Sequence, residues 1–402
     1  MFTSAWRLER DFFYRPQMNG VDWAGVRRSY ERLLPLAGSR TDLNYLIGEM
    51  LGELSNSHTY VAGGDRERSE PRAPSAYLGV DYGVDARTGR YVFARIYAGD
   101  NTRPDYRSPL TEPGLDVHAG DELVAIDGVA VRVGTAPESD LVGKQHRTVR
   151  LTIAAGGGVQ TRDVLVRPLD DELLLRSNAW IDHNRELVER ASGGRVAYVY
   201  LGDMDEAGIE QFIRQFYGQL DRRALILDDR WNIGGVADPI VLERLRRVLI
   251  GMTTNREGAA LSTPSRLLAG PKVCLINEYT ASDGELLAYY FRRYGLGPLI
   301  GRRTWGGVRF YRGEWSLLDG GYITIPETSP YGLDSHWIIE NHGVQPDLPV
   351  QDSPAELLAG TDAQLQAAVS VLLRALRRQA ASRPAGLPPA PPGLPAYPPG
   401  GR

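Results

Sequence analysis

Lysine is nearly absent from this 402-residue chain: it occurs only at Lys144 and Lys272, so arginine supplies almost all of the 46 basic residues. Arginine stays protonated and cannot serve as a general base at neutral pH, which leaves two candidates for any mechanism that needs a lysine base. Cysteine is scarcer still. Cys274 stands alone inside an apolar strand pattern, which excludes a disulfide within the chain and reads most simply as a small buried hydrophobe. No apolar run approaches the roughly 20 residues of a membrane helix. The segment Met1 to Pro16 mixes Arg7, Glu9, Arg10, Asp11 and Arg15 with aromatics, unlike the apolar core of a signal peptide. A soluble cytoplasmic protein is therefore expected. A formal charge of −4 and a pI near 6.0 give no electrostatic case for nucleic acid.

What is present divides into four stretches. With 42% hydrophobic residues the chain can build two or three cores. Residues 1–70 read as a helical subdomain: Trp23, Val26, Tyr30, Leu33 and Leu34 repeat at helical spacing, then Leu43, Leu46, Ile47 and Leu51 before Ser55-Asn56-Ser57-His58. Gly63-Gly64-Asp65 and the charged run to Arg72 look like a linker. Residues 76–168 change to short strands with turn signals, such as Tyr91 to Ala94 and Thr148 to Ile153. Residues 172–380 alternate strand and helix: a strand at 196–201, a helix near 206–219, a strand at 224–227, a helix over 237–250, then a strand and helix around Ser282. That alternation predicts a layered α/β domain. A last helix from Thr361 to about Arg378 carries Leu365, Ala368, Val369, Leu372 and Leu376 on one face, and the Pro-rich tail 384–402 has little to bury.

Three junctions carry candidate chemistry. Asn277-Glu278-Tyr279-Thr280-Ala281-Ser282-Asp283-Gly284 follows the apolar run Val273 to Ile276 and precedes a helical pattern, so Ser282 falls at a helix N-terminus. Free N–H groups and the positive end of the helix dipole gather there and favour the charge that grows on oxygen in acyl transfer. Ser282 is a candidate nucleophile, and the plain alternative is that Ser282 or Asp283 caps the helix. Asp228-Asp229-Arg230-Trp231-Asn232-Ile233-Gly234-Gly235 also lies between a buried strand and a helix. Its glycines let backbone N–H groups approach a ligand, and it has neither a Walker lysine nor a G-x-G-x-x-G to hold a nucleotide phosphate. Ile338 to Asp347 reads as a strand ending in a polar turn. In the second stretch, Tyr77-Leu78-Gly79-Val80 and Gly114 to Gly128 resemble a PDZ domain, which either captures an extended peptide or serves packing alone.

Together these stretches resemble the tricorn protease family, a tail-specific branch of serine peptidases with a crotonase-like or ClpP-like α/β core. The likeness rests on Ser57-His58-Thr59, Asp229 to Gly235, Asn277 to Gly284, Arg303-Thr304-Trp305-Gly306-Gly307-Val308, and Glu340-Asn341-His342-Gly343-Val344-Gln345-Pro346-Asp347, in that order. It implies the catalytic C-terminal half of the family, with a tetrad at Ser57, His58, Ser282 and Glu340. The oxyanion-hole positions fall on the Gly235 and Asp283 amides. No lysine follows Ser282, so the Ser/Lys dyad of many relatives with this core lacks a residue for its base, and His58 is the base the sequence permits. The family's acidic specificity position, supplied by a neighbouring subunit, falls on Thr253, which is neutral. Members of the family usually carry two β-propellers before this region, and no propeller-like repeat is detectable in the present sequence. The implied function is an oligopeptide-cleaving serine endopeptidase without metal or nucleotide cofactor. It would act as a homo-oligomer, a hexamer first, on a peptide lying extended beside Val308 to Tyr311. Competing readings are an inactive PDZ-containing peptide-binding scaffold, a Ser/Lys processing peptidase and a crotonase-type acyl-CoA enzyme.

Overall fold

The strands Ala224–Asp228 and Lys272–Ile276 are buried at every residue and Val196–Tyr200 at all but the last. Continuous burial is what a parallel sheet covered on both faces demands of its central strands. They sit side by side in a five-stranded parallel sheet ordered Leu348–Pro349, Leu299–Gly301, Lys272–Ile276, Ala224–Asp228, Val196–Tyr200. The computed structural model describes residues 1–65, 73–100, 103, 106–257, 260–378, 387–388 and 393. The expected linker beyond Asp65 and most of the expected Pro-rich tail lie outside the described residues.

The chain forms two compact units, 1–66 with 187–402, and 67–186. In the first, helices Glu206–Tyr217, Asp238–Leu245 and Asp283–Arg293 bury Phe212, Phe216, Leu242, Leu287 and Phe291 with the sheet. The helix Ala363–Arg378 packs Leu365, Ala368, Val369, Leu372 and Leu376 inward. Arg230, fully buried, ties that helix to the sheet by forking Asp228 at 2.7–2.8 Å and Asp362 at 2.8–3.1 Å. Helices Phe2–Phe12, Trp23–Glu31 and Arg40–Gly52 close a second core with the antiparallel strands Val61–Gly63, Gly321–Thr324 and Glu314–Ser316. Asp22 and Ser39 cap the second and third of these helices by accepting from Gly25 N and Asp42 N. Ser57 and His58 follow the helix Arg40–Gly52 and precede the strand Val61–Gly63.

The second unit is an antiparallel sheet in the order Val80–Asp85, Arg90–Ile96, Glu122–Ile126, Val149–Ala154, Thr161–Val166, closed over Phe93, Leu123, Ile126, Leu151 and Ile153. Asp127 and Gly128, both with positive φ, turn Glu122–Ile126 into Val129–Ala130, which is why an Asp-Gly pair stands there.

Three expected elements differ. The helix over 237–250 stops at Leu245, and the chain instead forms the hairpin Gly251–Thr254 with Ala260–Thr263. Ile338 opens no strand, because Ile339 and Asn341 adopt φ of +67° and +64°, outside the β region. Val308 to Tyr311 is irregular apart from one bridge, Phe310 to Thr328.

Candidate active site

Ser282 immediately precedes the helix Asp283–Arg293 with φ 54° and ψ −122°, and its side chain makes no capping hydrogen bond. The hydroxyl is thus left for other use, in a conformation that a non-glycine residue adopts only under constraint. Part of that constraint is Gly234. A Cβ built there would lie 2.5 Å from Ser282 Cβ and 3.0 Å from its Oγ, so a side chain would collide with the serine. Gly235 has φ +146°, and a Cβ on it would meet the Met204 carbonyl at 2.4 Å. Among the described residues, the Gly235 and Asp283 amides donate no hydrogen bond.

His58 is 8% exposed and is walled by Tyr60, Trp305 and Tyr311, with ring centroids 5.5–6.1 Å away. Its Nδ1 lies 2.8 Å from Ser57 Oγ, and Ser57 Oγ lies 3.1 Å from Glu340 Oε2. A hydroxyl has one hydrogen: given to the carboxylate, it leaves the oxygen to accept from Nδ1–H, so the Nε2 of His58 keeps its lone pair. Glu340 is held by the Ser57 amide at 2.7 Å and the Val308 amide at 3.0 Å, with Arg309 Nε at 3.7 Å. Burial lowers the His58 pKa below its usual 6.5, opposed by the charge of Glu340.

His58 and Ser282 line one cleft of about 580 Å³ with Gly235, Asp283, Val308 and Tyr311. Ser57 and Glu340 join it through His58. Thr253 does not: it lies exposed on the hairpin, opposite Leu261. Neither lysine lines the cleft. Lys272 Nζ donates to Gly270 O, with its pKa lowered to about 8 by burial, and Lys144 pairs with Asp127.

Of the acids here, Asp238 stood near the specificity position in the sequence without a place in the pocket, while Asp205 and Glu285 escaped the sequence reading. Asp205 and Asp238 line the cleft beside Asp283. The Asp283 carboxylate accepts from Asp238 N at 3.0 Å, and burial plus the Asp283 charge pushes the Asp238 pKa up to about 8. Glu285, 0% exposed, accepts from Gly306 N, Gly307 N and Thr304 Oγ1. The spacing Ser-x-x-Glu from Ser282 to Glu285 was its available signal, since a glutamate three residues into a helix reaches back to the cap residue's amide.

Three segments match known family models: residues 1–52 the tricorn protease C1 domain, 76–171 the tricorn protease PDZ domain, and 195–350 peptidase family S41. The chain is 37% identical over 388 residues to tricorn protease homolog 1 of Streptomyces coelicolor, covering 96% of this chain and 36% of that protein. With the tricorn protease of Thermoplasma acidophilum it shares 33% over 377 residues, covering 94% and 35%. A crystal structure of the tricorn protease superposes with a TM-score of 0.87 at 33% identity, over 94% of this chain and 36% of that one. The chain thus spans about a third of the length of these relatives. With its helical segment, PDZ-type sheet and α/β core all matched in order, this chain belongs to the tricorn protease family of serine peptidases.

Proposed function

We propose that this chain hydrolyses oligopeptides through an acyl-enzyme formed on Ser282. The observation that carries the reading is a serine that does not cap its own helix, in the same cleft as a buried histidine whose Nδ1 is engaged through Ser57 to Glu340. His58 Nε2 takes the Ser282 proton as Oγ adds to the scissile carbonyl, then returns it to the leaving amine. Glu340, acting through Ser57, orients the imidazole and stabilises the imidazolium. The carbonyl oxygen, negative in the tetrahedral intermediate, is received by the Gly235 and Asp283 amides at the helix N-terminus. Water, deprotonated by His58, then releases the acyl group.

Phe310 donates its amide to Thr328 O, and its carbonyl accepts from Glu327 N and Thr328 N. Val308 to Tyr311 run along the cleft that holds Ser282 and His58, which supports an extended peptide lying beside them. The cytoplasmic site of action and the homo-oligomer, a hexamer first, rest on family membership. So does the neighbouring-subunit role of the Thr253 position.

The test is cleavage of a peptide library by wild type and Ser282→Ala, with a serine-directed phosphonate as label. The variant should lose about 10⁴-fold or more in kcat/KM and take no label. Undiminished cleavage by Ser282→Ala would sink the reading. Absence of cleavage and label in the wild type favours the peptide-binding scaffold.

A further inference from the structure

Besides walling His58 with Trp305, the loop from Thr304 to Val308 sends three consecutive amides to two buried carboxylates. Gly306 N and Gly307 N donate to Glu285 at 2.7 and 2.8 Å, and the next amide, Val308 N, donates to Glu340 at 3.0 Å. Glu285 belongs to the nucleophile's helix, where burial raises its pKa while the Thr304 hydroxyl and nearby backbone amides, that of Ser282 among them, favour its anion. Thr304 extends the tie, since its hydroxyl donates to Glu285 and accepts from Val344 N at 2.7 Å, within the turn that carries Glu340. Trp305 N donates to Thr280 O and Asn341 N donates to Gly306 O, fastening the loop to both sides. There is no slack for a side chain: a Cβ on Gly307 would lie 2.7 Å from Ser57 Cβ.

We propose that Glu285 is a positioning residue that sets the register between the arm bearing Ser282 and the arm bearing Ser57, His58 and Glu340. It touches no reacting atom. The inference rests on the tetrad reading above. A carboxylate can accept from the Gly306 and Gly307 amides and the Thr304 hydroxyl together, because it has about four lone-pair sites and no hydrogen to misplace. Glutamine of the same shape must point an NH₂ at one of those donors, so Glu285→Gln loosens the register while keeping volume and burial.

The experiment compares Glu285→Gln, Glu340→Gln and the double variant in the full chain, by steady-state cleavage and by the rate of phosphonate labelling at Ser282. Glu285→Gln is expected to lower kcat about 10²-fold, as misplacement near 1 Å does, with KM within twofold and labelling slowed by the same factor. Added to Glu340→Gln, it should cost less than about threefold more, because a register with no Glu340 to align has nothing left to set. A merely structural loss would multiply instead, and that result overturns the inference, as does kcat within threefold of wild type. Should Glu285→Gln fail to fold, Thr304→Val removes one donor and should still lower kcat about tenfold; an unchanged kcat overturns the inference. Ser282→Ala separates the two claims. If Ser282→Ala is inactive and Glu285→Gln is not impaired, only this inference falls; if Ser282→Ala retains activity, the tetrad falls and takes this inference with it.

Discussion

Gly234 shows how a missing carbon sets the cleft, because the space a methyl group would need there is already occupied by Ser282 Cβ at 2.5 Å and Oγ at 3.0 Å. Its φ of +93° adds backbone strain to any substitution. Gly234→Ala should therefore displace the serine rather than the turn's remote contacts. The expected result in peptide cleavage is a fall in kcat of about 10²-fold with a smaller change in KM, since the loss is in alignment of the attacking oxygen. A kcat within threefold of wild type would show that Ser282 tolerates the shift. Histidine illustrates what residue type alone cannot tell. His58 and His342 are one letter, but His342 spends Nε2 on Ile339 N and Nδ1 on the Glu340 carbonyl, bracing its own turn. Only the motif around His58 distinguished them in the sequence. Thr253 lies on a hairpin that opens after the helix ends at Leu245, an exposed position outside this chain's own cleft.

Among the elements, two helices meet end-on beside the cleft through carboxyl groups. Asp283 opens one, Asp238 opens the other, and the Asp283 carboxylate accepts the Asp238 amide. Burial raises both pKa values; the Asp283 charge raises that of Asp238 further, while hydrogen bonds from Asp238 hold that of Asp283 down, so near neutrality the pair retains a proton on Asp238, pushed up to about 8. Once it is lost, two anions repel at the helix end that supplies the Asp283 amide. A bell-shaped kcat/KM profile is expected, with an acid limb below pH 6.5 from the burial-lowered His58 and an alkaline limb near pH 8. Asp238→Asn should remove the alkaline limb and leave the acid limb in place; a wild type active without decline to pH 10 would contradict it. These contacts were illegible from sequence because each acid sits at a separate helix start, where an acidic residue already has an ordinary explanation in the helix dipole. The strands were legible for the opposite reason. Val196–Tyr200, Ala224–Asp228 and Lys272–Ile276 are apolar almost without interruption because both faces are covered, whereas Ile338-Ile339 has the same composition and is bent by positive φ.

At the scale of the whole molecule, the site joins residues far apart in the chain: Ser57 and Glu340 are bonded across 283 positions. Its integrity depends on the helical subdomain that carries Ser57, and that subdomain contains a misfit. On the helix Phe2–Phe12 the buried positions are Phe2, Ala5, Trp6 and Glu9, the spacing of a core stripe with a carboxyl in its last place. Glu9 is 0% exposed, and among the described residues both of its oxygens are without a hydrogen-bond partner. Burial alone pushes its pKa up from 4.5 to about 8. An acid whose folded pKa is raised lends stability fully only below its unfolded pKa, so stability should decline as pH climbs from about 4.5 to about 8, where the unfolded chain has given up the proton and the folded one has not. At pH 7 the cost is about 3 kcal/mol, and at pH 5 under about 1 kcal/mol. Glu9→Met fills the same space among Phe2, Trp6 and Phe13 without a group to ionise. Urea unfolding followed by tryptophan fluorescence should show the variant stabilised by about 3 kcal/mol more than its apolar gain at pH 7, with that surplus nearly gone at pH 5. Equal gains at both pH values would mean that Glu9 is ionised in the folded protein, and hence that water or a partner reaches it inside the helical core.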